Sequence, residues 1–111
     1  MRFPSEMQIH ERGRVIVVDI IDEQCGQLAK LLEPQLDAGR RSFVFDLAKA
    51  NFLNSVNIAS LIAARNRIVA LEGKVAVANL ADNIKSVFRI LKLERLFDLE
   101  LKLDAAIARV G

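Results

Sequence analysis

The chain has 111 residues, of which 52% are hydrophobic and 27% charged, the balance of an ordinary folded protein. At this length we expect a single domain spanning residues 1–111, with a core large enough to need no disulfide or metal. The formal net charge of +2, with basic and acidic residues interspersed, gives nucleic acid binding little electrostatic support.

Cysteine content and apolar runs bear on location. Cys25 is the only cysteine in the sequence, so no internal disulfide can form. Residues Met1–Ser5 lack the apolar run of a signal peptide, and no later run approaches the roughly 18 residues that a membrane span requires. We therefore expect a cytoplasmic protein with no membrane span.

The amino-terminal part predicts a hairpin and then a helix. Met7–His10 alternates, Glu11–Arg14 supplies a turn, and the β-branched run Val15–Ile21 predicts a buried second strand. Asp22 is a candidate N-cap for a helix that ends near Gly39 and has apolar positions at Leu28, Leu31, Leu32 and Leu36.

Pro34 interrupts the pattern of that helix. A proline inside a helix removes one hydrogen bond and crowds the preceding turn, at a cost of about 3 kcal/mol. The sequence therefore predicts a kink or a break near Leu32–Glu33.

The rest of the chain alternates strands with helices. Glycine and acidic residues mark the boundaries, and the apolar spacing changes between the strand and helix periods. The predicted strands are Phe43–Leu47, Val75–Leu80 and Leu99–Leu103. The predicted helices are Ile58–Leu71, a helix capped by Asp82 and a terminal helix at Ala105–Val110. The helix capped by Asp82 has apolar Ile84, Val87, Phe88 and Leu91 and is continued or closely followed by Leu93–Phe97.

This order defines the fold class. Strands separated by helices connect by crossovers and run parallel, whereas the first hairpin adds an antiparallel strand. We expect an α/β domain with a mixed sheet of about five strands and about four helices.

A polar turn, Asn54–Asn57, lies between the strand at Phe43–Leu47 and the helix that follows. It places Ser55 where a helix begins. A phosphate on this hydroxyl would face backbone N–H groups and the positive end of the helix dipole.

Three segments in order resemble the STAS domain family of bacterial anti-sigma-factor antagonists: the buried strand Val15–Val18, the stretch Phe45–Ser55 and the stretch Phe88–Phe97. The resemblance places Ser55 at the phosphoacceptor position and Ile58 at an apolar position of the family pattern. It implies a partner-binding loop formed by Asn54, Ser55, Val56, Asn57 and Ile58.

The resemblance also implies a function. The protein would bind a kinase-like anti-sigma factor, which would phosphorylate Ser55, and a phosphatase would reverse the modification. No catalytic residue, metal ligand or cofactor is expected, because the sequence has no glycine-rich phosphate loop, nucleophile elbow or zinc spacing. The sequence carries no decisive signal of oligomeric state.

Three residues of the turn depart from the family pattern. Asn54 stands in place of Asp, Val56 in place of Ser or Thr, and Asn57 in place of Gly. We expect Asn57 to adopt the left-handed conformation that Asn tolerates. Asn54 can align a hydroxyl but cannot take its proton, which favours the alternative of a phosphorylation-independent STAS scaffold or transport-complex subunit.

Other interpretations remain open for single residues. Ser55 could act only as a helix N-cap. His10 is expected on an exposed strand or turn rather than at a metal, and Cys25 is a weak redox candidate because it has no resolving partner. Asp46, with Asp19, Asp22 and Glu23, is similar to the acidic pocket of a phosphoacceptor receiver domain, although Lys102 lies mid-strand and away from such a pocket.

Overall fold

The computed structural model describes residues 8–21 and 28–111. In chain order the elements are β1 (Gln8–Arg12), β2 (Val15–Asp19), α1 (Leu28–Asp37), β3 (Ser42–Asp46), α2 (Ser55–Ala70), β4 (Lys74–Ala78), α3 (Asp82–Ile90), a 3₁₀ turn (Leu93–Arg95) and α4 (Leu103–Val110). Asp22, Glu23 and Cys25 lie outside the described residues, so the predicted N-cap and the thiol are not placed.

The sheet has the order β1-β2-β3-β4. β1 pairs antiparallel with β2, while β2, β3 and β4 are parallel. The predicted mixed sheet is confirmed, and so is the amino-terminal hairpin. Its turn is Gly13–Arg14, because β1 continues two residues further than the alternation of Met7–His10 indicates.

The three parallel strands β2, β3 and β4 are buried on both faces because helices cover both, whereas β1 is largely exposed. Successive strand side chains point to opposite faces, so each of the three parallel strands contributes to two clusters. One cluster packs against α1, α2 and α3 and includes Ile16, Val18, Phe43, Phe45 and Val77. The other packs against Ala106 and Val110 of α4 and includes Val15, Val17, Val44, Ala76 and Ala78.

The predicted strand at Leu99–Leu103 is wrong, and the described residues form four strands rather than about five. Leu99 packs in the cluster of the first three helices, whereas Leu101 and Leu103 pack in the α4 cluster, so the alternation does not correspond to one face. Asp98 Oδ1 accepts a hydrogen bond from the Glu100 backbone N–H at 3.0 Å, which bends the chain there. One backbone bond, from Asn79 N–H to the Leu101 carbonyl, joins this segment to the end of β4.

Of the predicted kink or break near Leu32–Glu33, the break is wrong. α1 continues through Pro34 to Asp37, with Leu28, Leu32 and Leu36 buried on one face. Lys30 and Pro34 are both exposed, so water can satisfy the carbonyl that the missing proline N–H leaves free. Burial of the leucine face holds the helix together across the proline.

α3 differs from its predicted pattern in which apolar residues it buries. Ile84 and Phe88 are buried as expected, but Val87 is 38% exposed and Leu91 is 50% exposed. Asp82 is the first helical residue rather than the cap, which is Ala81. None of the helices in the described ranges is long and apolar enough to cross a membrane.

Candidate functional site

The chain between β3 and α2 is a loop anchored by buried residues. Ala50 is 2% exposed and Leu53 is 7% exposed, and both belong to the main core cluster. Phe52, between them, is 63% exposed. The two buried anchors therefore fix the loop while its aromatic side chain points to solvent.

A reciprocal pair of hydrogen bonds closes the first turn of α2. The Asn57 backbone N–H donates to Asn54 Oδ1 at 2.8 Å, and the Asn54 backbone N–H donates to Asn57 Oδ1 at 3.1 Å. Asn54 is thus the N-cap, and α2 begins at Ser55 instead of at Ile58 as the sequence predicted. Such a box satisfies two backbone donors that a helix start would otherwise leave free.

This geometry corrects the expectation for Asn57. Asn57 is the third helical residue, is 7% exposed and is not among the described residues with positive φ. It therefore does not adopt the left-handed conformation. The Asn57 side chain returns a hydrogen bond to the cap, which a glycine could not supply.

The five residues of the predicted partner-binding loop divide into two groups. Asn54, Ser55 and Val56 are exposed, with Val56 at 65%. Asn57 and Ile58 are buried and position the turn from beneath. Ser55, as the first helical residue, and Val56, as the second, have no carbonyl four residues earlier in the helix to bind their N–H groups.

α3 extends the exposed apolar surface beside this turn. Phe52 and Val87 line one small cavity of about 40 Å³, and the Asn83 side chain donates to the Asn51 carbonyl at 2.9 Å. Ile90, one turn beyond Val87, is 78% exposed. We name the exposed residues Phe52, Asn54, Ser55, Val56, Val87 and Ile90 the Ser55 face.

The opposite flank of α3 is charged. Lys85 Nζ lies 2.8 Å from Glu100 Oε1, and Arg89 pairs with the second oxygen of the same carboxylate. The hydrogen bond from Lys85, together with the charges of Lys85 and Arg89, lowers the pKa of Glu100. The apolar flank of α3 is therefore the one that faces the Ser55 turn.

Sequence reasoning missed Phe52, Val87 and Ile90 as members of this surface. Phe52 belongs to the run Phe52-Leu53 and looks like core, while Val87 fits the buried period of α3. Ile90 gave a weak signal, because it falls outside the spacing of Ile84, Phe88 and Leu91. Only the packing of the loop against α3 separates the exposed apolar residues from the buried ones.

Asp19 and Asp46 are neighbours at the carboxyl ends of β2 and β3, as the receiver-like interpretation requires. One oxygen of each carboxylate is already engaged. Asp19 Oδ2 lies 2.9 Å from His10 Nε2 and 3.2 Å from Lys49 Nζ, while Asp46 Oδ1 accepts from Ala48 N–H and Asn79 Nδ2, each at 3.0 Å.

These contacts give the acidic pair a structural role. Asp46 holds the turn after β3, and Asp19, 9% exposed, is paired with two side chains that carry N–H donors. His10 lies on exposed β1, as expected, but the antiparallel pairing brings it to Asp19. Within residues 8–21 and 28–111, no group of three His, Cys, Asp or Glu side chains could hold a metal ion.

Comparison with known proteins identifies the family of the chain and solved structures with a similar fold. Residues 6–106 match the family model described as the STAS domain. TM1081 of Thermotoga maritima, proposed as an anti-sigma factor antagonist, superposes with a TM-score of 0.82 at 14% identity, over 94% of this chain and 93% of that chain.

The Bacillus cell fate determinant SpoIIAA in its phosphorylated form superposes with a TM-score of 0.74 at 15% identity, over 96% of this chain and 100% of that chain. The anti-sigma factor antagonist SpoIIAA in its unphosphorylated form gives a TM-score of 0.63 at 12% identity, over 82% and 97% of the two chains. At these identities the likeness is one of fold. No curated protein matches the sequence.

Proposed function

The chain belongs to the STAS domain family, and from that premise we propose that it is a cytoplasmic anti-sigma-factor antagonist that binds a kinase-like anti-sigma factor. The Ser55 face is the binding surface in this proposal. The observation that carries it is the exposed hydroxyl of Ser55 at the first turn of α2, with exposed Phe52 and Val56 on either side in sequence.

Phosphorylation of Ser55 would regulate this binding. The phosphate adds about −1.5 to −2 charges, and the N-terminus of a helix favours negative charge. α2 is a 16-residue helix whose start is closed by Asn54 and Asn57, so the N–H groups of Ser55 and Val56 are held next to the modified side chain. The fold can therefore accept the phosphate without rearrangement.

The same phosphate would weaken docking. Phe52 and Val56 offer apolar contact area, and a charge placed between them would have to lose its water when a partner covers them. Release of the partner would then follow from local charge and desolvation, while the core beneath the turn stays folded.

In this proposal the protein is a binding partner and not a catalyst. The anti-sigma factor supplies the kinase activity, and a separate phosphatase restores the hydroxyl. Asp46 is the aspartate that most resembles a phosphoacceptor, but its Oδ1 accepts hydrogen bonds from the Ala48 N–H and from Asn79 Nδ2. This supports Ser55 as the modified residue.

The test is a titration of the kinase-like anti-sigma factor from the same organism against three purified forms of the chain: parent, Ser55→Asp and Asn66→Asp. Asn66 is exposed in the C-terminal half of the same helix, so its change adds the same charge away from the Ser55 face. We expect Ser55→Asp to weaken binding at least about tenfold and Asn66→Asp to leave it within about twofold. Equal affinities of the three forms would contradict the switch.

A phosphorylation-independent scaffold is the second candidate. One observation favours it: the side-chain oxygen of Asn54 is taken by the Asn57 N–H, and an amide cannot accept the proton that a hydroxyl releases. Incubation with the kinase and ATP, followed by mass spectrometry, separates the two. An unmodified Ser55 together with tight binding would make the scaffold the better conclusion.

A further inference from the structure

A basic pocket lies at the amino ends of the parallel strands, at the end of the sheet opposite the Ser55 face. Its volume is about 560 Å³, and the side chains in its wall include Arg14, Arg40, Arg41, Ser42, Glu72 and Lys74. We propose that this amino-end pocket binds a small anion that carries two or more phosphoryl groups.

The sheet topology brings the cations together. Arg14 directly precedes β2, Arg41 directly precedes β3, and Lys74 is the first residue of β4. The register aligns the three strand starts, because Val15 is opposite Ser42 and Ser42 is opposite Lys74. Neighbouring strands are about 4.8 Å apart, so Arg14 and Arg41 lie side by side at the strand starts, and Lys74 lies one residue further along the next strand, opposite Ser42.

Two of the pocket cations are fixed by protein contacts. Arg41 Nη1 donates to the Leu36 carbonyl at 3.0 Å and to the Arg40 carbonyl at 2.7 Å, so it satisfies the last turn of α1. Arg40 Nη2 lies 2.9 Å from Glu11 Oε1. These contacts hold both guanidinium groups at the wall of the pocket.

The other two cations remain available. Arg14 and Lys74 are exposed, and neither forms an ion pair with any residue that the structure describes. The C-terminal turn of α2 has its own cation, Arg67, so the dipole of that helix does not depend on Lys74. A bound anion would relieve the repulsion among side-by-side cations.

Positive charge is concentrated at this pocket. The wall holds four cations and one side-chain carboxylate, that of Glu72, and Arg40 is neutralised by its ion pair with Glu11. The wall together with this pair carries a net +2, equal to the formal charge of the whole chain, so the remaining side chains sum to zero. The excess positive charge of the protein attracts an anion to this pocket.

The chemistry of the wall selects the class of anion. Arginine and lysine bind phosphoryl oxygens, and the Ser42 hydroxyl adds a further donor. Val110 is the one large apolar side chain in the wall and is only 3% exposed, so the wall is polar and charged. The phosphoryl groups of a ligand would therefore supply most of its contacts, and a compact diphosphate fits the pocket.

The experiment is a titration of the full chain with inorganic pyrophosphate. Binding is measured by calorimetry and by the NMR signals of the backbone amides of Gly13, Gly39 and Lys74. ADP carries the same diphosphate with a base attached, and hexaglutamate carries charge without phosphoryl groups. We expect saturable binding of pyrophosphate, affinity for ADP within about threefold of it, and weaker binding of hexaglutamate.

The variant for this test is the double change Arg14→Glu with Lys74→Glu. Its matched control is Lys30→Glu with Lys92→Glu, two exposed cations that do not line the amino-end pocket. Both pairs take the net charge from +2 to −2. We expect pyrophosphate affinity to fall at least about tenfold in the pocket pair and to change less than about threefold in the control.

Three results would overturn the proposal: no saturable binding of pyrophosphate, an equal loss in both charge-reversed pairs, or tighter binding of hexaglutamate, which would make the surface a protein-docking site. Thermal melting of each variant confirms that it is folded, since all four changed residues are exposed. The readout involves no anti-sigma factor, so its outcome is independent of the function proposed for the Ser55 face.

Discussion

Asn54 and Asn57 exchange two hydrogen bonds across the start of α2, each side-chain oxygen accepting from the backbone N–H of the other residue. The pair fixes the turn on which Ser55 stands. Asn54 and Asn57 both depart from the family pattern, and yet together they stabilise the start of the helix.

We expect Asn57→Ala to destabilise the protein by about 1–2 kcal/mol, because the cap at Asn54 loses its returning acceptor and a buried amide is removed. Thermal unfolding measures the change. Asn66→Ala, at an exposed position of the same helix, is the control and should leave the melting temperature within about 2 °C. Equal melting temperatures of the two variants would show that the reciprocal pair contributes nothing.

We expect Val87→Asp to weaken binding of the anti-sigma factor at least about tenfold, since a carboxylate would enter the apolar part of the Ser55 face. Val69→Asp is a close control, because Val69 is 42% exposed and Val87 is 38% exposed, but Val69 lies near the far end of α2. Ile90→Asp, at a position 78% exposed, repeats the test where folding is not at risk. Binding that is insensitive to both α3 changes would restrict the docking surface to the turn.

We expect Asn54→Asp to raise the rate at which the kinase phosphorylates Ser55, because a carboxylate can accept a proton or hold a cation next to the hydroxyl. Asp is also a favoured N-cap, so the helix start should be retained. Phosphate incorporation followed by mass spectrometry gives the rate and the site, with Ser55→Ala as the blank. Incorporation that persists in Ser55→Ala would assign the modification to another residue.

The ion pair between Glu33 and Arg67, which joins α1 to α2, should make stability depend on pH in the acid range. The hydrogen bond from Arg67 lowers the pKa of Glu33 below its ordinary value of 4.5. The stabilisation is therefore present above pH 4.5 and is lost as the pH falls through the lower pKa of the folded state.

Thermal melts of Glu33→Gln between about pH 3 and pH 7 test this dependence. The variant should lose less stability on acidification than the parent, by a small margin because the pair is exposed to solvent. Glu94→Gln is the control, because exposed Glu94 forms no ion pair in the part of the chain that the structure describes. Parallel pH profiles of the parent and Glu33→Gln would remove the contribution of this pair.

The sequence by itself determined the class and most of the order of the fold. The β-branched run at Val15 and the alternation of helix and strand periods predict a mixed α/β sheet, and the structure confirms it. These features succeed because hydrophobic period is local and reports directly which face of an element is buried. The position of Ser55 beside a helix start is equally local.

Tertiary structure decided the remaining features. Leu99–Leu103 alternates like a strand, yet its leucines are divided between two clusters, and no local pattern can report which cluster a side chain joins. α1 continues through Pro34 because its leucine face is buried. The local cost of the proline, one lost hydrogen bond and a crowded turn, does not include this tertiary burial.

The two surfaces of greatest functional interest also depend on packing. Phe52 meets Val87 only because the loop after β3 lies against α3, and Arg14, Arg41 and Lys74 become neighbours only because three parallel strands start at one edge. The periodicity of hydrophobic residues identifies which residues face the core, but it does not indicate which exposed residues of distant segments come together. Sequence therefore determined most of the elements and the polar turn at Ser55, and the sheet order and helix packing determined the surfaces around them.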